Sequence, residues 1–331
     1  MQKDFEDHSR SLWLKQAAQD LKGNFNPEDF QLRYPEVSVD PFITNESGKF
    51  TFNPLKKFTN TPFSGIYLNI TEADSGNKHI LTMLENGANC LELKICGTPD
   101  PEVLFKDVII SYLFIILHFD HGSRHCIPSF IDFLNTTEDS GGLHTLILDD
   151  EKLIFPESSF YICLNSEENK ALSLSRALQY ADQHKLTDQK INRIYFFTAL
   201  GKEFLLEIAF LRALRLLWEN YCAFHGYEED ITPIIMGVPD INTIPNEEPL
   251  ELLSLSSITL SSFLGNADGF VSRSNSDVPE QWKHAFHIQN VMIEESHMHQ
   301  VNDPIAGSHV LEELTLQIVE AAWKMYFISK S

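Results

Sequence analysis

Eight short runs rich in β-branched and aromatic residues recur along the chain, and helical patterns separate most of them. The runs cover residues 66–70, 90–95, 114–119, 145–148, 160–164, 194–198, 234–238 and 269–272. Helical spacing falls at about 79–85, 102–108, 128–134, 167–184, 202–224 and 250–263, with more helix after the last run at 280–297 and 310–326. Strands alternating with helices imply parallel βα units joined by right-handed crossovers. Eight such units imply an α/β fold of the (β/α)8 TIM-barrel class. One connection departs from the pattern. Only residues 149–158 separate the fourth and fifth runs, fewer than a parallel crossover ordinarily takes. The fourth helix is therefore expected to shrink to a turn, giving a degenerate barrel.

The first fifty residues read differently. Residues 11–22 carry Leu12, Leu14, Ala17, Ala18 and Leu21 at helical spacing, with Gly23 as a stop. An irregular stretch from 24 to 49 follows, punctuated by Pro27, Pro35 and Pro41. It holds Phe25, Phe30, Leu32, Tyr34, Val37, Val39, Phe42 and Ile43 with little regular structure to bury them. The expected organisation is an N-terminal arm over 1–50 that makes a subunit contact, and a barrel over 51–331.

Composition limits the partners. The net charge is −22 over 331 residues, so nucleic acid and anionic membrane are excluded as partners, and an anionic ligand needs a local basic site. The most apolar stretch, 108–119, stops at Asp120 and is too short to span a bilayer. The N-terminus lacks the apolar segment of a secretory signal. Cys90, Cys96, Cys126, Cys163 and Cys222 are scattered and odd in number, as expected of free thiols in a reducing compartment. A cytoplasmic location follows as the expectation.

Few motifs point to chemistry. His118, His121, His125 and Cys126 cluster after the third run, at the barrel end where sites form, and their types suit zinc. The same residues also make a plain polar turn, which is the reading taken, and no metal is assigned. The chain has no Gly-x-Ser-x-Gly elbow, Walker loop or Gly-x-Gly-x-x-Gly fingerprint. His284 and His287 lack the His-Glu-x-x-His context. Lys56 and Lys57 read as a solvated turn or as a contact for anionic phosphates. Arg212 and Arg215, on the apolar helix at 202–224, read as structural anchors, with Arg215 and Glu219 spaced as an i,i+4 pair.

Three blocks carry a family resemblance. One is Glu294-Glu295-Ser296-His297, then Asp303-Pro304-Ile305-Ala306-Gly307-Ser308, Glu312, Leu314-Thr315 and Ala322-Trp323. A second is Gly201, Phe204, Glu207-Ile208-Ala209, Leu211-Arg212-Ala213, Arg215 and Trp218. A third is Asp20-Leu21-Lys22-Gly23 with Pro41-Phe42. They resemble the adenosylcobalamin-dependent acyl-CoA mutases, above all methylmalonyl-CoA mutase, and the third resembles the start of the small (beta) subunit of the two-chain enzymes. The resemblance implies a barrel working with a cobalamin domain in the isomerisation of methylmalonyl-CoA and succinyl-CoA, with CoA threading the axis.

The departures from that family decide the functional expectation. The sequence runs to Ser331, soon after Trp323, and no C-terminal cobalamin-binding domain is expected. The Asp-x-His-x-x-Gly motif has only a local echo in Asp182-Gln183-His184. Where the family places a Tyr-His pair after its fifth strand, Leu164 falls at or near the histidine's place; where it uses an arginine, Ser254 falls. No catalytic, cofactor-binding or metal residue is therefore assigned, and adenosylcobalamin is expected in a partner chain, the large (alpha) subunit. The first reading is a non-catalytic small subunit. The alternative is an acyl-CoA-binding barrel active only with a cobalamin protein in trans. Bulky side chains on the barrel axis favour the first and small polar ones the second, but the sequence leaves open which strand residues face inward.

Overall fold

A computed structural model describes residues 9–22, 25–43, 54–136, 145–149, 152–155, 159–165, 169–184, 193–227, 232–274 and 279–329. In chain order its first elements are α1 (Arg10–Asp20), β1 (Leu32–Arg33), β2 (Ser38–Val39), β3 (Phe63–Ile70), α2 (Ala73–Glu85), β4 (Cys90–Ile95), α3 (Pro101–Leu104), β5 (Phe114–Phe119) and α4 (Ile127–Thr136). Then follow β6 (Thr145–Asp149), β7 (Lys152–Phe155), β8 (Ser159–Leu164), α5 (Lys170–Gln183), β9 (Arg193–Leu200), α6 (Phe204–His225), β10 (Ile234–Pro239), α7 (Glu248–Leu264), β11 (Gly269–Ser272), α8 (Pro279–Asn290) and α9 (His309–Ile328).

All eight expected runs are strands, each within a few residues of its expected bounds. Together with a ninth strand, β7, they form one sheet in the order β7-β6-β5-β4-β3-β11-β10-β9-β8, in which every ladder is parallel except β6 with β7. This is a nearly closed TIM-type barrel. The described residues of the short fourth connection form a strand instead of a turn. β7 runs back antiparallel along β6, with a register shift between Ile147 and Leu148, so a strand returns the chain to the start of β8. Extended backbone covers the needed distance with few residues, at roughly 3.3 Å each against 1.5 Å for a helix. β7 stands next to β8, but no ladder joins the two among the described residues.

Some helices are shorter than their patterns predict. α3 stops at Leu104, and Asp107 turns the chain with φ of 61°. Regular α8 ends at Asn290 and passes into a wide π-turn, Val291–Glu295, before His297 takes a left-handed φ of 53°. α6, by contrast, reaches its expected length and closes on Gly226 at φ 70°, a conformation that costs glycine little.

A buried ionic knot ties the second half of the chain at the N-terminal end of the barrel strands. From α6, the Arg212 guanidinium donates to both Asp303 oxygens, at 2.8 and 2.9 Å, and to Glu312 at 2.8 Å. It also reaches the Thr315 hydroxyl. Arg215, one turn on, donates to Asp268 at 2.9 Å and to the Asn266 carbonyl. It does not pair with Glu219 as its spacing suggested, because the Arg215 side chain points into the core and meets the loop before β11. Asn266 and Asp303 both have left-handed backbones, at φ 68° and 47°, tolerated best by short polar side chains. The Asn266 side chain then accepts the Asp303 backbone N–H at 2.9 Å.

The arm divides in two. Val37 and Val39 are buried in this chain's own core, with Tyr34 and Ile43 packed against them. The Gln317 amide on α9 clamps Ser38, accepting its N–H at 3.0 Å and donating to its carbonyl at 3.1 Å. Glu36 accepts the Ala171 N–H at the start of α5. Residues 34–43 thus dock on α5 and α9 of the same chain. α1 buries none of its residues, and Leu12, Leu21 and Phe30 stay exposed. The expected boundary at residue 50 lies outside the described residues.

Candidate functional site at the barrel mouth

Strand alternation fixes which residues meet the axis. Ile66, Leu68, Leu91, Leu93, Ile115 and Leu117 join the clusters packed under the helices, as do Ile162, Leu164, Ile194, Phe196 and Ile235. The other parity points inward: Phe63, Cys90, Phe114, Ile116, Leu146, Leu148, Tyr161, Tyr195, Phe197, Met236 and Val271 form one cluster. Its rings meet across the axis. Phe114 lies 5.1 Å from Phe63, 5.6 Å from Tyr195 and 6.2 Å from Phe197, and Phe197 lies 5.2 Å from Tyr161. The axis is filled by aromatic side chains.

Polar groups gather above this plug, at the C-terminal ends of the strands. Register places Tyr67, Glu92 and Ile116 in one row across β3, β4 and β5, and Asn69, Lys94 and His118 in the next row outward. Arg273 follows β11 at the level of Tyr67. Glu92 is 1% exposed. Its Oε1 accepts from Arg273 Nη2 at 2.5 Å, its Oε2 from Arg273 Nε at 3.2 Å, and His118 Nε2 lies 2.9 Å from Oε1. Arg273 also lies over the Tyr67 ring at 5.0 Å, and the Tyr67 hydroxyl donates to Asn69 at 3.1 Å.

The electrostatics follow from this packing. Burial works against the ionised form of Glu92, but the Arg273 charge and the His118 hydrogen bond outweigh it and hold the carboxyl down at about 2. Burial and the Glu92 charge push the Tyr67 phenol up to about 12. Arg273 is raised against the cost of its own burial by the Glu92 charge. The arrangement is a charged, hydrogen-bonded rim over an apolar floor. It can orient an ion, but it offers no nucleophile–base pair.

The residues singled out from sequence fall mostly elsewhere. Leu164 faces the helices in a buried cluster, so it cannot occupy an axial catalytic place. Ser254 lies on α7. His118 joins the rim, whereas His121 and His125 sit exposed on the following turn and Cys126 is buried, its thiol 3.7 Å from the Gly97 carbonyl. No three His, Cys, Asp or Glu side chains converge to hold a metal among the described residues. Lys56 and Lys57 precede β3, at the end of the barrel opposite the mouth, and burial together with the Arg215 charge lowers Lys57 against the opposing pull of Asp268 and Asp303. Asp182 accepts hydrogen bonds from Tyr221 and Tyr326. His184 caps α5, its Nδ1 2.9 Å from the Tyr180 carbonyl and its ring packed on Tyr180 and Phe160. Sequence reasoning missed Glu92 and Arg273. The available signal was a carboxylate inside an apolar strand, which almost always requires a buried partner.

The family model for methylmalonyl-CoA mutase matches residues 165–236 and 274–328. A methylmalonyl-CoA mutase small subunit of Porphyromonas gingivalis is 30% identical over 158 residues, covering 43% of this chain and 25% of that protein. A small subunit of Propionibacterium freudenreichii subsp. shermanii is 31% identical over 137 residues, 39% and 21% of the two chains. A methylmalonyl-CoA mutase of Cereibacter sphaeroides is 27% identical over 152 residues, 42% and 21%. The matches span no more than a quarter of these relatives' length. Both family-model segments run through the ionic knot: Arg212 and Arg215 lie in the first, Asp303, Glu312 and Thr315 in the second. Among the described residues no helix is long and apolar enough to cross a membrane.

Proposed function

Because the chain is a relative of the methylmalonyl-CoA mutase family, we propose that it acts as a non-catalytic, small-subunit-like barrel beside a large mutase chain that carries adenosylcobalamin and isomerises methylmalonyl-CoA and succinyl-CoA. The observation that carries this reading is the filled axis. A CoA ester threading a barrel needs small or polar inward side chains, and here Phe63, Phe114, Tyr161, Tyr195 and Phe197 occupy that space. The alternative, an acyl-CoA-binding barrel completed in trans, requires the open channel these rings fill.

Adenosylcobalamin would supply radical chemistry where it is bound, and the residues of this chain do not fit it. The one Asp-x-His echo is committed elsewhere: Asp182 to two tyrosine hydroxyls and His184 to the end of its own helix. The role left to this chain is to fold as a rigid barrel and offer surface to the partner. The exposed Leu12 on α1, Leu21 at its end and Phe30 suit that surface, whereas 34–43 serve this chain. A reducing cytoplasm is the proposed setting, which five scattered cysteines support.

The test is co-expression with the full-length mutase chain of the same cell. The pair is expected to co-purify, with mutase activity in the complex and none in this chain alone. Activity or stoichiometric cobalamin absorbance from the isolated chain would overturn the reading.

A further inference from the structure

We propose that the barrel mouth is a binding site for a small free oxyanion, held end-on by Arg273. A guanidinium carries five N–H donors in a planar fork, so it can grip an oxyanion along either of two edges. Glu92 takes one edge, accepting from Nε and Nη2. The other edge, formed by Nη1 and the second Nη2 hydrogen, makes no hydrogen bond among the described residues, and the side chain is 27% exposed. The Glu92 carboxylate beneath and the Tyr67 ring alongside hold the fork in place, so little rotamer freedom is left to lose on binding.

The surroundings suit an anion of limited size. Lys94 stands exposed in the outermost row between Asn69 and His118. The Asn69 oxygen accepts from Tyr67, which leaves its amide nitrogen as a donor. Both oxygens of Glu92 already accept charged or imidazole donors. Asp120, whose charge also acts on Lys94, accepts the Ser123 N–H and hydroxyl. Ile116, Tyr161 and Phe197 close the floor. A chain running down the axis would meet these side chains. The site lies in a protein of net charge −22, with Arg273 and Lys94 set against the Glu92 and Asp120 carboxylates, and it stands whether or not the subunit reading holds.

The experiment titrates the full chain, at fixed ionic strength balanced with sodium chloride, with sodium acetate in one arm and sodium phosphate in the other. The readout is the NMR shift of the Ile116 methyl groups. A saturable shift is expected in at least one arm, with Kd on the order of 1 mM as for a single bidentate grip. Response to acetate alone marks a carboxylate ligand, to phosphate alone a phosphate, and to both a general oxyanion; each supports the site. Glu92→Gln with Arg273→Gln removes both charges together, so neither is left buried alone, and the shift should weaken at least tenfold. Arg273→Lys keeps the charge without the fork and should weaken it too, should the double variant fail to fold. No saturable response below about 50 mM in either arm, where even a grip worth under 2 kcal/mol would register, overturns the proposal, as does an undiminished response in the variants.

Discussion

Asp303 reaches Arg212 with both carboxylate oxygens while its own backbone sits in the left-handed region. Loss of Arg212 strands the Asp303 carboxylate, which is fully buried, whereas Arg212 without Asp303 would keep Glu312. Breaking a buried pair on one side costs about 3–5 kcal/mol, mostly from the orphaned charge. Arg212→Met should therefore lower stability by about that much in urea titration, and Arg212→Met with Asp303→Asn, which keeps a short polar side chain on the left-handed backbone, should recover part of it. Glu92 gives a pH test. Its carboxyl is held down, from 4.5 to about 2, so its contribution is fully present above the unfolded value of 4.5 and fades as pH falls through about 2. Glu92→Gln should flatten the acid limb of a stability–pH curve between those values, and an unchanged limb would mean that Arg273 does not favour the ionised form. At this scale the sequence was half legible. Arg212 and Arg215 were readable as anchors, because a cation on an apolar helix must be paired. Their partners were not, since Asp268 and Asp303 lie 53 and 91 residues away and only folding joins them.

Elements were legible where periodicity alone determines them. The strands came out because aromatic and β-branched runs of about five residues, bounded by turn residues, have one low-energy form in such a frame. β7 was missed because a four-residue return strand has no period of its own; its geometry is set by the distance between β6 and β8. The arm is ambiguous in the sequence for a related reason. Its apolar residues had to be covered, but composition cannot say by which chain, and Val37 and Val39 found α5 and α9. The two halves of the arm should consequently separate in experiment. Deleting residues 1–30 removes the surface ion pair of Arg10 with Asp40, worth less than about 1 kcal/mol, and the half-buried Trp13 that stacks on Phe42. Deleting residues 1–43 also removes two buried valines, which should lower unfolding stability by at least about 3 kcal/mol. Equal denaturation midpoints for the two truncations would show that the docked segment adds nothing.

For the molecule as a whole, the filled axis and the ionic knot make one point. The segments matching the family model run through the knot, at the end of the barrel away from the mouth, so the relationship detected in the sequence is carried by architecture. The mouth is where a barrel does chemistry. Its residues here, Glu92 and Arg273, stayed hidden because strand parity decides which side chains face inward, and parity emerges only when the sheet closes. The closure is itself uneven. β8 is laddered to β9 on one side only among the described residues. In a parallel strand successive amides point to opposite neighbours, so every second N–H of β8 faces β7 without a ladder bond. Opening a protein locally begins where few backbone bonds must break. In deuterated buffer the β7-facing amides of β8 should exchange first among the barrel strands, well ahead of those in β4 and β10, which have neighbours on both sides. Uniform protection around the ring would mean that β7 seals the seam as firmly as a hydrogen-bonded ladder.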